Sequence, residues 1–297
     1  MKTRIAGLML LCSVVVSSTA QTFTETITKE LAFEKKGTGN TIMVFNINGD
    51  IKVEGYTGDK VLLEVKKTIY GKTQARMEKG KAEIQLGVID RADTLIVYVE
   101  GVCSEFGKRD KNESRRNGRG WGYQWNNCGK NSDCNKDYDY KMSFTIKVPV
   151  AISVYASTVN DGDVEVTNVN GDLLADNVNG SIRLKNISGA THASTINGNV
   201  DLDYSGNPSG DSRYYTLNGD INANFHKGLA AELTFKSFNG EFYSSVDDIT
   251  PLPVRVEKYQ KGEGLQYKVN GNRYKVRTGG PLLDFETFNG DVYLREN

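Results

Sequence analysis

Residues 162–180 read GDVEVTNVNGDLLADNVNG, and the period inside that stretch decides the fold. Its unit is apolar, Asn, Gly, polar, apolar, as in Val169-Asn170-Gly171-Asp172-Leu173 and Val178-Asn179-Gly180-Ser181-Ile182. The unit recurs around Asn48-Gly49, Asn197-Gly198, Asn218-Gly219, Asn239-Gly240 and Asn289-Gly290. Self-similarity in a fixed frame marks one small structural element stacked on copies of itself. Asn-Gly tolerates positive φ, so each copy marks a sharp change of chain direction. After the glycines, apolar residues alternate with polar ones: Val164 and Val166, Ile182 and Leu184, Val200 and Leu202. That is the period of a strand with one buried face.

Asn-Gly between alternating strands is also a hairpin signal, so an antiparallel meander competes with a stack of coils. Spacing separates the two. Gly162, Gly171, Gly180, Gly189 and Gly198 lie nine residues apart, and the inward residues run Gly+2, Gly+4 and Gly+7. The last of these is Gly−2 of the next unit. The step from +4 to +7 breaks strand parity, which a corner absorbs and a straight strand does not. Asn168, Asn177 and Asn186 all fall at that corner, where stacked asparagines can ladder through their amides. The expected fold is therefore all-β, a parallel β-solenoid (β-helix or β-roll) with a β-rich cap at its N-terminal end. Each coil would have two short faces and roughly 18–21 residues. Between Gly240 and Gly290 an inserted pair of strands is expected, Val254–Tyr259 and Leu265–Val269.

Four segments follow. Residues 1–20 read as a secretory signal peptide, with Lys2 and Arg4 before the apolar run Ile5–Val16 and Ser18-Thr19-Ala20 as the cleavage site. That run is too short to anchor in a bilayer, and no later segment is apolar enough to cross one. Export to the periplasm, the cell surface or the medium is the expectation. Residues 21–100 form an N-terminal β region with one short helix near Lys72–Lys81, 101–141 a polar insertion, and 142–297 the Asn-Gly repeats. Formal charge is balanced at 37 basic and 37 acidic residues, which argues against nucleic acid as a partner.

The insertion holds both tryptophans. Arg115 and Arg116 sit in a basic run, then Trp121, Tyr123 and Trp125 precede Cys128 and Cys134. Arginine interleaved with aromatics suits sugar stacking or a protein contact, so these five residues are the candidate binding set. Of the three cysteines after residue 20, Cys128 and Cys134 are the first choice for a disulfide, with Cys103 able to pair with either. No C-x-x-C pair or neighbouring His supports a metal, and the calcium nonapeptide roll would need a second glycine that is missing here. No cofactor is expected.

Catalysis is poorly supported. His192 and His226 are the two histidines, and no serine sits in a G-x-S-x-G elbow. Asp50, Asp163, Asp172, Asp220, Glu241 and Asp291 share the Gly+1 position, which turn chemistry explains better than a catalytic pair. A glycan-active enzyme is the remote alternative; a non-catalytic surface-contact protein is the main reading.

The Val-Asn-Gly-Asp-Val type of repeat, following an apolar leader and an N-terminal β region, resembles a family of exported bacterial proteins known as putative adhesins. The resemblance is clearest over 142–247 and Phe288–Leu294. It implies a β-helix or β-roll, export, and adhesion or another cell-envelope contact with a protein or glycan. A periplasmic protein-binding component of envelope stress or architecture is the second expectation.

Overall fold

The structure is a computed structural model that describes residues 21–35, 37, 39–101, 104–106, 123–125, 137–261, 264–270 and 272–297. The N-terminal segment supplies β1 (Gln21–Leu31), β2 (Thr41–Phe45), β3 (Ile51–Tyr56), β4 (Val61–Gly71), helix α1 (Gln74–Glu83), β5 (Gln85–Asp90) and β6 (Thr94–Glu100). A short hairpin follows, β7 (Ser104–Phe106) and β8 (Tyr123–Trp125), and then β9 (Tyr138–Pro149). Helix α1 starts where Thr73 caps it, its hydroxyl accepting the Arg76 N–H.

The repeats begin with β10 (Ser153–Ser157), β11 (Val164–Thr167), β12 (Leu173–Asp176), β13 (Ile182–Ile187) and β14 (Thr191–Asn197). They continue with β15 (Val200–Tyr204), β16 (Ser212–Asn218), β17 (Ile221–Phe225), β18 (Ala231–Lys236) and β19 (Phe242–Ser244). Then come β20 (Ile249–Pro251), the hairpin β21 (Arg255–Lys261) and β22 (Gly264–Asn270), β23 (Arg273–Val276), β24 (Leu282–Asn289) and β25 (Val292–Glu296).

Two large sheets enclose one core. The smaller has 10 strands in the order β1-β4-β9-β3-β11-β13-β15-β17-β25-β19. The larger has 11, in the order β20-β23-β18-β24-β16-β14-β12-β10-β2-β6-β5. Successive repeat strands alternate between the sheets, each pairing in parallel with the strand one layer away. Val164, Ile182, Val200, Ile221 and Val292 occupy matching register positions, and all are fully buried.

The expected parallel β-solenoid is not the fold. Both sheets are mixed: β4 runs antiparallel to β1 and β9, β5 to β6, and β23 to β18 and β20. Strand order also departs from chain order. The C-terminal pair is interposed, β24 between β16 and β18, and β25 between β17 and β19. The meander fails as well, because β2 and β3 flank Asn48-Gly49 yet lie in different sheets. Spacing reports how much chain makes one layer, not which layer stacks on which. Strands without an Asn-Gly unit extend both sheets beyond β2 and β3 and the larger sheet beyond β18, where parallel layers alone would leave edges exposed.

The inward pattern needs correction too. Val169 and Ile187, at Gly−2 of their units, are fully buried, but Val178 is half-buried and Ile196 is exposed. The two kinds of turn differ. Where the chain passes from the larger sheet to the smaller, the buried residue is instead at Gly−3, and it is polar: Asn46, Asn177, Thr195, Thr216 and Thr287. Each donates to the glycine carbonyl of an adjoining layer or its own turn. Thr195 reaches Gly180 O at 2.8 Å, Thr216 reaches Gly198 O at 2.8 Å, and Asn177 reaches Gly162 O at 3.0 Å. Asn177 thus leaves the expected corner ladder, which joins only Asn186 to Asn168 at 2.6 Å, both at positive φ.

Two further ladders bind the layers. Along the Asn-Gly edge, Asn179 donates to Asn160, Asn197 to Asn179, Asn218 to Asn197, Asn289 to Asn218 and Asn239 to Asn289, all at 2.8–2.9 Å. The Gly+1 side chains form the second, each accepting the backbone N–H of the next layer: Asp163 from Ser181 at 2.8 Å, Asn199 from Asp220 at 3.0 Å, Asp220 from Asp291 at 2.9 Å. The glycines pack in a column between them. A Cβ on Gly290 would lie 1.9 Å from Gly219 O, and one on Gly219 2.2 Å from Gly198 O. The C-terminal strand is finally clamped by Arg277, which donates to both Glu296 carboxylate oxygens at 2.6 and 2.9 Å.

Three outcomes are expected. Gly290→Ala, which combines φ +150 with a backbone clash, should lose about 3 kcal/mol or more in urea unfolding, while Gly39→Ala, whose Cβ meets nothing, should be near neutral. Thr216→Val keeps the shape but removes a buried donor, and should lose about 1–2 kcal/mol. Arg277, with the N–H groups of Gly228 and Leu229, holds the Glu296 carboxyl below its ordinary range against the opposing effect of burial. A depressed folded-state pKa gives stability above the unfolded pKa, and that stability is lost as pH falls through the folded one. The melting temperature of the wild type should therefore exceed that of Glu296→Gln at pH 7, with the gap closing below about pH 4.

Candidate functional site

Strand alternation sends Ile42 and Val44 of β2, and Leu95 and Val97 of β6, into the main core. Their neighbours Met43, Phe45, Ile96 and Tyr98 point out of the larger sheet, where with Tyr155 they form a second buried cluster. The signal was present in the sequence. Ile42–Phe45 and Leu95–Val99 are continuous apolar runs, the mark of strands buried on both faces, rather than alternating ones.

Tyr123 of the β7–β8 hairpin covers this cluster. Its ring stacks on Phe45 with centroids 5.3 Å apart and meets Tyr98 edge-on at 5.9 Å. Phe45 in turn meets Tyr155 edge-on at 5.0 Å. The Tyr123 hydroxyl donates to Val99 O at 2.7 Å, and burial pushes its pKa well above the ordinary phenol value. Tyr123 is thus an anchor: its ring is committed to the larger sheet, and it fixes the hairpin that brackets residues 107–122 in sequence.

Beside the cluster lies an open groove of about 520 Å³. Met43, Tyr155 and Leu174 border it on the cluster side; Thr191, His192 and Asp211 lie along the strand starts. Asp172 also lines it, and no Lys or Arg does among the described residues. Both carboxylates have structural work: Asp172 accepts the Ala190 N–H at 3.1 Å and Asp211 the Leu282 N–H at 2.8 Å. An apolar floor with hydroxyls, an imidazole and carboxylates at the rim suits hydrogen bonding to an uncharged or cationic polar ligand, and repels an anionic one.

Of the residues singled out in the sequence, the structure brings Tyr123 to this face. Trp125 belongs to β8. Arg115, Arg116, Trp121, Cys128 and Cys134 lie outside the described residues, as do Cys103 and the signal segment. Tyr138 and Tyr140, read as part of the insertion, are buried in β9, with the Tyr138 hydroxyl donating to Glu83 at 2.6 Å. His226 stands away from the groove, its Nδ1 3.1 Å from Lys227 O. The Gly+1 carboxylates serve the layer ladder, and no group of three metal-ligating side chains forms among the described residues.

No family model matches the chain, and neither does any curated protein. Among solved structures, a putative cell adhesion protein from Clostridium sporogenes ATCC 15579 is similar at 11% identity, covering 93% of this chain and 100% of that one, with a TM-score of 0.44. A putative adhesin from Bacteroides fragilis NCTC 9343 is 16% identical over 92% of this chain and 97% of its own, with a TM-score of 0.37. Another from Parabacteroides merdae ATCC 43184 is 10% identical over 93% and 96%, with a TM-score of 0.27.

Proposed function

We propose that the protein is an exported, non-catalytic adhesion or cell-envelope contact protein that engages a glycan or protein partner through the outer face of its larger sheet. The observation that carries this reading is the groove beside the Tyr123-anchored hairpin. A rigid sheet supplies its floor, and the cluster that Tyr123 covers meets it at Met43 and Tyr155, so its apolar margin is fixed in place. The absence of Lys and Arg from the described lining favours a neutral glycan or a basic peptide segment over an acidic polymer.

Localisation separates adhesion from an envelope-internal role. Protease shaving of intact cells should remove the protein while a periplasmic control survives; protection until the outer membrane is opened would transfer the same binding face to an envelope-internal partner. For the groove itself, the double variant Leu174→Lys, His192→Glu changes two partly exposed side chains. It should reduce retention of the purified protein on cells or on a neutral-glycan array at least tenfold without changing its melting temperature by more than about 3 °C. Unchanged retention by this folded variant would remove the groove from the reading.

A further inference from the structure

In an Asn-Gly pair the asparagine side chain is open to attack by the chain itself, because glycine sets no Cβ in the way. The nucleophile is the glycine nitrogen, and the target is the carbon of the asparagine amide. Along the folded stack the layer contacts block that attack at turn after turn. Gly49, Gly180, Gly198 and Gly219 donate their N–H groups to the carbonyls of Asn160, Asn197, Asn218 and Asn289 at 2.9–3.0 Å. Gly290 donates to Asn239 O at 3.2 Å. Each N–H is thus held by the layer that lies beyond it. The amides are held as well: Asn179, Asn197, Asn218 and Asn289 each donate to one neighbouring layer and accept from another.

The ladder ends at Asn239-Gly240, beside the edge strand β19 of the smaller sheet. Asn239 still donates to Asn289 Oδ1 at 2.9 Å. Among the described residues, however, its own Oδ1 accepts no hydrogen bond and the Gly240 N–H makes none. The inner column stops here too. Ser237, at Gly−3, keeps its hydroxyl buried without a partner among the described residues, where Thr195 and Thr216 donate to a glycine carbonyl. Asn239 is exposed, and its turn rests on the Gly290 turn with no further layer above it.

Two other turns meet one of these conditions each. Asn48, at the opposite end, has an amide outside the ladder, but its neighbour Gly49 has a committed N–H. Gly171, in the other row of turns, has no acceptor for its N–H among the described residues, yet its turn is wedged from both sides. A Cβ on Gly171 would meet Ile152 O at 2.2 Å, and one on Gly189 would meet Gly171 O at 2.1 Å. Ser188 also donates to Asn170 Oδ1 at 3.3 Å. Such packing resists the rotation that attack requires.

We infer that Asn239 is a site of spontaneous covalent modification, in which the chain deamidates at the end of its own ladder. The Gly240 nitrogen loses its proton to solvent base and bonds to the Asn239 side-chain carbonyl carbon. The bond from that carbon to the amide nitrogen breaks, and ammonia leaves. Water then opens the cyclic imide at either carbonyl, giving aspartate or isoaspartate. One amide and one water become one carboxylic acid and ammonia, with nothing oxidised or reduced. The carboxylate has no N–H for Asn289 Oδ1, so the last rung is lost and this end of the stack gains a negative charge. The chemistry needs no ligand and does not depend on the groove.

Incubation of the folded protein in warm, mildly alkaline buffer, followed by peptide mass spectrometry, tests this. Asn239 should convert at least tenfold faster than Asn179, Asn197, Asn218 or Asn289, and ahead of Asn48 and Asn170. In urea the layer contacts are gone, and the same asparagines should convert at similar rates. Asn239→Gln, at an exposed site, should keep the circular dichroism spectrum and remove most of the ammonia that the folded protein releases. Equal rates in the folded protein, or a lead for any of the other asparagines, would overturn the inference. A lead for Asn239 that persisted unchanged in urea would trace to local sequence, and would overturn it too.

Discussion

Everything in this molecule depends on how closely one Asn-Gly turn can sit on the next. The glycine column places the Cα of one layer against the carbonyl of another, with no room for a Cβ at Gly162, Gly180, Gly198, Gly219, Gly240 or Gly290. That approach aligns three hydrogen-bonded columns at once: the asparagine amides outside, the Gly+1 acceptors beside them, and the Gly−3 hydroxyls and amides within. A larger residue at one turn would displace all three. The turns therefore set the register of both sheets, and the alternating Val, Ile and Leu positions follow it into the core.

This constraint explains why the layers tolerate an interposed neighbour. The turns at Asn218-Gly219 and Asn239-Gly240 are 21 residues apart, the same interval as Asn197 to Asn218, yet Asn289-Gly290 lies between them. Each layer presents the same donors and acceptors on its upper and lower sides. A distant unit with the same geometry fits as well as the next one along the chain, and the Arg277–Glu296 ion pair holds it there.

The sequence was legible where the physics is local. Strands, turns, the short helix and the inserted hairpin β21–β22 stand close to where alternation and Asn-Gly spacing put them. Stacking order was not legible, because identical turns carry no address, and the capping strands pair antiparallel through residues with no repeat to mark them. The sequence places Tyr123 in a candidate binding set, and a tyrosine in a polar insertion gives no sign that Phe45 and Tyr98 wait on the outer face of a sheet. The continuous apolar runs in β2 and β6 held that information. The groove was invisible for a simpler reason: Met43, Leu174, His192 and Asp211 come together only through layer stacking.

Rigid layers and sparse charge at one end have a joint consequence. A stack whose register is fixed by backbone contacts presents its outer columns without rearrangement, so little ordering entropy is lost when a partner meets them. In its inner layers the smaller sheet uses this rigidity to pair charged and polar side chains, as in the Arg183–Asp163 ion pair at 2.6 Å and the Asn222 amide donating to Asp201 at 2.9 Å. In the last two layers the same positions hold tyrosine, and charge pairing gives way to ring stacking. The groove lies on the larger sheet and the aromatic end on the edge of the smaller one. A ligand held in the groove therefore meets a face that needs no rearrangement to receive it.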